Sequence, residues 1–129
     1  MYYEIIVYSS VTYKFNSVIT NYIESKEGSV FTQCLSNEFC VLDSSRVSLK
    51  CLEILRDKRK VEEMVCLDSS YCNFMLNADN IVPISQFTSE SSNDNELEKL
   101  TKFLKKVAVS NEPATEYIKR QVYSVQHFQ

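Results

Sequence analysis

The chain has 129 residues and a formal net charge of −3, with 44% hydrophobic and 24% charged residues, which is the composition of one globular domain over residues 1–129. The negative balance gives no indication of a basic face for direct nucleic-acid binding, and no apolar run is long enough to predict a membrane span. Five cysteines without a close pair predict reduced thiols, and therefore an intracellular protein of the nucleus or cytoplasm.

The first quarter of the chain has the pattern of a strand followed by a helix. Tyr3–Tyr8 is β-branched and aromatic and predicts a buried strand whose carboxyl end lies at Ser9. Apolar residues then recur at helical spacing, so Val11–Lys26 predicts an amphipathic helix that Gly28 ends. Such a helix is expected to pack its apolar face against the core. That face consists of Val11, Phe15, Val18, Ile19, Tyr22 and Ile23.

Short elements are predicted between residues 30 and 60. Val30–Leu35 and Glu38–Leu42 indicate a hairpin or flap, and Leu49–Leu55 indicates a short helix. Arg56–Lys60 then has four basic residues in five positions. Such a run fits either a solvated loop or a docking patch for an acidic or phosphorylated tail of a protein partner.

The central stretch Glu62–Ser85 predicts two strands joined by a turn of helix. The apolar run Met64–Leu67 stops at Asp68 and is typical of a strand buried on both faces of a parallel sheet. Because ligands bind at the carboxyl ends of such strands, Asp68 is expected at the rim of a crevice. Tyr71–Leu76 predicts the turn of helix, and Ile81–Ile84 predicts the second strand.

The remainder predicts a surface loop over residues 85–95 and two helices. Leu97–Val107 has one helical apolar stripe, and a last helix begins near Asn111 and ends near Val125. Its inward residues are predicted to be Tyr117, Ile118, Val122 and Val125. Strands that alternate with helices indicate an α/β fold.

The segment LDSSYCNFMLNADNIVPI resembles the pattern L-D-N-S-P followed by P-x-N-A-(I/V)-P-(I/V) in the small phosphatases that act on the tail of RNA polymerase II. These enzymes form the NLI-interacting-factor-like branch, or FCP homology domain, of the haloacid dehalogenase superfamily. A mitochondrial import receptor shares the domain, but a nuclear or cytoplasmic member is the expectation here. The likeness extends from Tyr3 to about Arg120. It implies a three-layer, Rossmann-like parallel sheet with flanking helices.

The resemblance implies three site residues. VYSSVTYKF places Ser9 on the hydroxyl that binds the transferring phosphoryl group, and VSLKCLEIL places Lys50 on the lysine that holds it. LDSS places Asp68 on a magnesium-binding aspartate, with Ser69 where the family has a ligating asparagine. A hydroxyl is a poorer magnesium ligand than an amide oxygen, which puts Mg²⁺ binding in doubt. From the residues alone, Ser9 and Asp68 also fit turn or cap positions, and Lys50 fits a solvated side chain.

The family's first motif, D-x-D-x-(T/V), does not occur in this sequence. That motif carries the aspartate nucleophile, so without it the aspartyl-phosphate route is closed. Three hypotheses follow: an inactive domain that binds a protein, a structural remnant without phosphate chemistry, or an active Mg²⁺-dependent phosphoserine/phosphothreonine phosphatase. The last requires that the nucleophile-bearing segment lies outside this chain.

The absent motif also has a structural consequence. In the family its strand lies in the middle of the sheet, between the strand that ends at Ser9 and the strand that ends at Asp68. Without it those two strands must pair directly or leave open edges, and open apolar edges favour association. We therefore expect the chain either to close the gap or to self-associate through exposed strand edges.

Overall fold

The computed structural model describes residues 2–90 and 93–126, with side chains described as far as residue 121. The strands are β1 (Ile6–Tyr8), β2 (Gln33–Leu35), β3 (Val41–Leu42), β4 (Ser48–Leu49), β5 (Cys66–Asp68) and β6 (Ile81–Pro83). The helices are α1 (Tyr13–Glu27), α2 (Glu96–Val109) and α3 (Ala114–Gln126). Short 3₁₀ helices lie at Asn37–Phe39, Leu52–Leu55, Val61–Glu63 and Tyr71–Asn80. The fold is α/β, as predicted, and none of the described helices is long and apolar enough to cross a membrane.

The described strands form three two-stranded sheets. β1 pairs in parallel with β2, β5 pairs in parallel with β6, and β3 pairs antiparallel with β4. The predicted parallel strands are therefore present, but β1 and β5 have only three residues each. The predictions of a buried β1 and of a β5 buried on both faces were wrong: β1 is half-buried, and Leu67 in β5 is 39% exposed. Each has a paired neighbour on one edge only, which leaves the other edge uncovered.

β1 and β5 belong to different sheets and do not pair with each other. Direct closure of the gap, one of the two expected outcomes, is therefore not what the structure has. Side chains nevertheless link β1 and the residues before it to the segments that precede and follow β5. The carboxylate of Glu4, before β1, accepts a hydrogen bond from Arg59 Nε at 2.7 Å, and the Tyr8 ring meets the Phe74 ring edge-on at 6.0 Å.

The buried core lies beside β5 and β6. Leu52, Cys66, Phe74 and Ile81 form one cluster, and Tyr8 of β1 packs against it. The last two helices contribute further buried residues, with Leu100, Val107, Ala114 and Ile118 all below 8% exposure. Cys66, Ile81, Leu100, Val107 and Ile118 lie on the apolar runs and stripes that the sequence pattern predicted to be buried. Val122 and Val125, predicted to face inward in α3, lie outside the described side chains.

α1 is turned opposite to the prediction. Its apolar face is in water, with Phe15 at 59%, Val18 at 66% and Tyr22 at 66% exposure. The buried residues of this helix are Asn16 and Thr20. The reason is hydrogen bonding rather than apolar burial. Asn16 Nδ2 donates to the Leu35 carbonyl at 3.4 Å and to Ser36 Oγ at 3.2 Å, while Ser36 is fully buried.

The end of α1 agrees with the sequence. Gly28 has φ of +80°, a conformation that glycine adopts most easily, and its N–H donates to the Glu24 carbonyl at 2.9 Å. The Glu24 carboxylate then accepts the N–H groups of Val30 and Phe31, both at 3.0 Å. These bonds turn the chain from α1 into β2.

The segment between β2 and β5 differs from the prediction. The hairpin joins β3 to β4 rather than residues 30–35 to residues 38–42. Its turn is built on Asp43, whose Oδ1 accepts the N–H groups of Ser45 and Val47 at 2.8 and 2.9 Å. The helix predicted over Leu49–Leu55 is only the single 3₁₀ turn Leu52–Leu55, because Ser48 and Leu49 pair with β3 instead.

Candidate functional site

An ion pair between Lys50 and Asp68 lies at the carboxyl end of β5. Asp68 is the last residue of β5, and Lys50 directly follows β4. Lys50 Nζ is 2.7 Å from Asp68 Oδ2, and the two side chains are only 9% and 12% exposed. The structure therefore brings together two of the three residues that the resemblance singled out, although they are far apart in the chain.

The Asp68 carboxylate has two further hydrogen-bond donors. The Ser70 N–H donates to Oδ1 at 2.8 Å, and Asn73 Nδ2 donates to Oδ2 at 3.1 Å. Burial by itself raises the pKa of Asp68, but the bonds from Lys50, Ser70 and Asn73, with the lysine charge, more than offset it and lower the pKa below its usual value. Asp68 thus also supports the turn after β5, the role that the residues alone had suggested.

Lys50 is buried rather than solvated, at 7% exposure. Its Nζ lies 5.1 Å from the centre of the Phe74 ring, close enough for a cation–π interaction. Its backbone N–H donates to the Asn73 carbonyl at 2.8 Å. Asn73 thus contacts both partners of the ion pair. Sequence reasoning missed it, and its only signal was an amide residue in the turn after β5.

Ser9, the third residue, follows β1. Its N–H donates to the Leu35 carbonyl at 2.8 Å, and its Oγ accepts the Val11 N–H at 3.2 Å. Among the described residues no hydrogen bond joins its hydroxyl to Lys50 or Asp68. The hydroxyl has the role of a turn residue before α1, and its predicted contact with phosphate stays a prediction.

Tyr8 connects the end of β1 to the loop that carries Lys50. Its hydroxyl donates to the Phe39 carbonyl at 2.7 Å and accepts the Cys51 N–H at 3.2 Å. Burial raises the pKa of this phenol, although the Cys51 N–H opposes the shift. The hydroxyl therefore stays protonated and keeps both bonds.

Two thiols lie within the electrostatic reach of Lys50. Burial raises the pKa of Cys66 to about 12, and the Lys50 charge only partly opposes this. Burial also raises the pKa of Cys40, whose Sγ is 3.9 Å from the Ser9 carbonyl oxygen. Raised pKa values keep both thiols protonated at neutral pH, so neither is suited to act as a nucleophile.

The donor set around Asp68 does not fit Mg²⁺. This ion needs several oxygen ligands in an octahedral arrangement. Both Asp68 oxygens already accept hydrogen bonds, Lys50 brings a positive charge to the position a cation would take, and Ser69 is an exposed residue beside the pair. Within residues 2–90 and 93–126, no group of three or more potential ligands among His, Cys, Asp and Glu is arranged to hold a metal.

Residues 1–115 match the family of NLI interacting factor-like phosphatases. The chain belongs to this family. The match extends from before β1 into the start of α3, so it includes Ser9, Lys50 and Asp68. No curated protein matches the chain. The match relates this chain to the phosphatases that act on the tail of RNA polymerase II. It does not by itself say whether the chain is active.

Proposed function

We propose that this chain is a phosphatase-like domain without phosphatase activity that binds a protein partner. The Lys50–Asp68 pair is the observation that carries the proposal. Phosphoryl transfer needs fixed positive charge that is free to meet the developing negative charge of the phosphoryl group. Here the Lys50 charge is neutralised at 2.7 Å by Asp68, in a pair with little access to solvent. The arrangement favours a structural pair over a phosphate-binding one.

The absence of a suitable nucleophile supports the same conclusion. An aspartate nucleophile must have a carboxylate oxygen free to attack phosphorus. Asp68 Oδ2 faces Lys50 and Asn73, and Oδ1 accepts the Ser70 N–H. The sequence offers no D-x-D pattern as a replacement. We also propose that the chain descends from proteins with the three-layer haloacid dehalogenase fold and that it is located in the nucleus or cytoplasm.

The basic segment Arg56–Lys60 is our proposed contact with the partner. Arg56 pairs with Glu53 and Arg59 pairs with Glu4, which leaves Lys58 and Lys60 exposed and without an ion pair among the described residues. Two free lysines beside two neutralised arginines suit an acidic or phosphorylated tail, held by a salt-dependent interaction.

Two measurements on the purified chain test the proposal. Incubation with a small aryl phosphate and Mg²⁺ should give background turnover only. Turnover that falls in Asp68→Ala would instead support an active enzyme and overturn the proposal. An acidic phosphoserine peptide should bind, and the double variant Lys58→Glu/Lys60→Glu should abolish that binding. Lys105→Glu/Lys106→Glu on α2 makes the same charge change away from the basic segment and should leave binding unchanged. Equal loss in both variants would point to net charge alone.

A further inference from the structure

The Glu4–Arg59 pair joins two parts of the chain that are far apart in sequence. Arg59 Nε donates to Glu4 Oε2 at 2.7 Å, and Arg59 Nη2 donates to Glu4 Oε1 at 2.5 Å. The fork of one guanidinium thus holds both carboxylate oxygens, which is also the geometry in which arginine binds phosphate. The bonds from Arg59 lower the pKa of Glu4, so the carboxylate is ionised at neutral pH. Glu4 therefore occupies the position that the phosphate group of a ligand would take on Arg59.

The pair is accessible enough to open. The Arg59 and Glu4 side chains are 26% and 37% exposed, so water reaches both partners. Partly exposed ion pairs contribute little to stability, and opening one does not unfold a domain. The Lys50–Asp68 pair is different, because its side chains are only 9% and 12% exposed and its separation would leave a buried charge without a partner. A ligand can therefore compete for Arg59 but not for Lys50.

The surroundings of Arg59 have no large excess of positive charge. Between residues 53 and 63 the chain has four basic and four acidic residues. The acidic ones are Glu53, Asp57, Glu62 and Glu63. Glu112 lines the same cavity as Arg59 but is paired with Arg120. General attraction of an acidic tail is therefore weak, and recognition has to come from directed bonds to particular side chains.

We propose that Arg59 is the residue with which the basic segment recognises a phosphate group, and that Glu4 occupies its guanidinium until a phosphoserine or phosphothreonine of the partner replaces it. The inference rests on the proposed function, since it names the group that the basic segment selects. A carboxylate of the partner is chemically the same group as that of Glu4, and Glu4 has the advantage of belonging to the same chain. A phosphate monoester has a charge of about −1.5 to −2 and three acceptor oxygens, so it displaces Glu4 where a carboxylate does not.

A blocked, fluorescent peptide, Gly-Glu-phosphoserine-Glu-Gly, tests the class of ligand. Its control is the same peptide with aspartate in place of phosphoserine. Fluorescence anisotropy at about 0.15 M salt should show that the phosphopeptide binds at least about fivefold more tightly. Equal binding of the two peptides would overturn the proposal, because a guanidinium already held by Glu4 should discriminate against a second carboxylate.

A matched pair of variants tests the role of Glu4. Glu4→Gln frees Arg59 and should strengthen phosphopeptide binding about two- to fivefold, which corresponds to the free energy of a partly exposed ion pair. Glu62→Gln makes the same charge change at an exposed residue without an ion pair in the described part of the chain. It should change binding by less than about 1.5-fold, because salt screens the charge. Equal effects of the two variants would mean that net charge alone acts and would overturn the proposal.

A double variant tests whether the gain depends on the arginine fork. Glu4→Gln/Arg59→Lys keeps the positive charge at this position but lacks the planar, two-donor geometry. It should lose the gain in affinity that Glu4→Gln produces. A gain that persists in the double variant would contradict recognition by Arg59.

The side-chain Nε–H signals of the arginines in two-dimensional NMR show directly which contact is replaced. Saturation with the phosphopeptide should shift the Arg59 signal and leave that of Arg120, which is paired with Glu112 outside the basic segment, unchanged. An unchanged Arg59 signal in the complex would overturn the inference. If the unmodified chain binds the phosphopeptide and Glu4→Gln binds it no better, only this inference is wrong. If neither protein binds it, the proposed function is wrong as well.

Discussion

Removing one partner of the Lys50–Asp68 pair should destabilise the chain strongly. Asp68→Asn keeps the shape of the side chain but leaves the Lys50 ammonium buried without a counter-charge. Breaking a buried ion pair in this way costs about 3–5 kcal/mol. Whole domains are stable by only about 5–15 kcal/mol, so the substitution should remove a large share of the folding free energy.

A solvated pair on α2 provides the control. Lys102 and Glu98 are 2.9 Å apart with both side chains 70% exposed. Glu98→Gln should therefore cost no more than about 0.5 kcal/mol. The same charge change is thus made once in a buried pair and once in a solvated one, so the difference between the two variants measures the effect of burial.

Urea denaturation followed by circular dichroism is the appropriate assay, because the sequence has no tryptophan. The double variant Lys50→Met/Asp68→Asn should recover part of the loss, with a coupling of roughly 1–3 kcal/mol between the two sites. If Asp68→Asn costs no more than Glu98→Gln, the pair is not buried in solution and the reasoning from its exposure fails.

Three other predictions concern pH, thiols and α1. The pKa of Asp68 is lowered in the folded chain, so the stability that Asp68 contributes should be complete above the usual aspartate pKa and lost as pH falls through the folded value. Acid unfolding of Asp68→Asn should lack this pH-dependent loss of stability. Identical acid-unfolding profiles of the variant and the unmodified chain would contradict the prediction. With its pKa raised to about 12, buried Cys66 should be alkylated by iodoacetamide at pH 8 long after exposed Cys72, and mass spectrometry showing equal rates would refute this. Asn16→Ala should lower the free energy of unfolding by about 1–3 kcal/mol, because it removes the bonds to Leu35 and Ser36. Asn21→Ala, at an exposed position of the same helix, should lower it by less than about 0.5 kcal/mol. Equal values for the two variants would mean that the bonds of Asn16 contribute nothing to stability.

The strands β5 and β6 were predictable because each is a short apolar run bounded by polar residues. Cys66 and Ile81 lie on those runs and are buried at 4% and 3% exposure. The lengths were not predictable, because a strand ends where its pairing ends. Pairing depends on a neighbour that the local sequence does not specify.

The orientation of α1 shows a different limit. Periodicity correctly placed Phe15, Val18 and Tyr22 on one face, but it does not say which face turns inward. The orientation of α1 depends on Asn16, which donates hydrogen bonds to Leu35 and Ser36, two residues distant in the chain. Side-chain to backbone bonds of this kind have no periodic signature.

The candidate site was predictable only in part. Lys50 and Asp68 were identified through the resemblance, because the spacing of two residues so far apart in the chain does not predict an ion pair. Asn73, which bonds to Asp68 and accepts from the Lys50 N–H, was missed. Its role follows from the geometry of the turn after β5, which brings the Asn73 side chain to Asp68 and its carbonyl to the Lys50 N–H.

The way α1 is attached affects what an unfolding experiment can detect. The response of a transition to denaturant, and its heat-capacity change, both scale with the surface newly exposed to water. Because the apolar face of α1 is already wet, separating this helix from β2 exposes little more. Such a separation should be almost insensitive to urea and nearly silent in calorimetry. In a melting curve of this chain, the attachment of α1 should therefore affect the midpoint, through the bonds of Asn16, while adding little to the size of the transition.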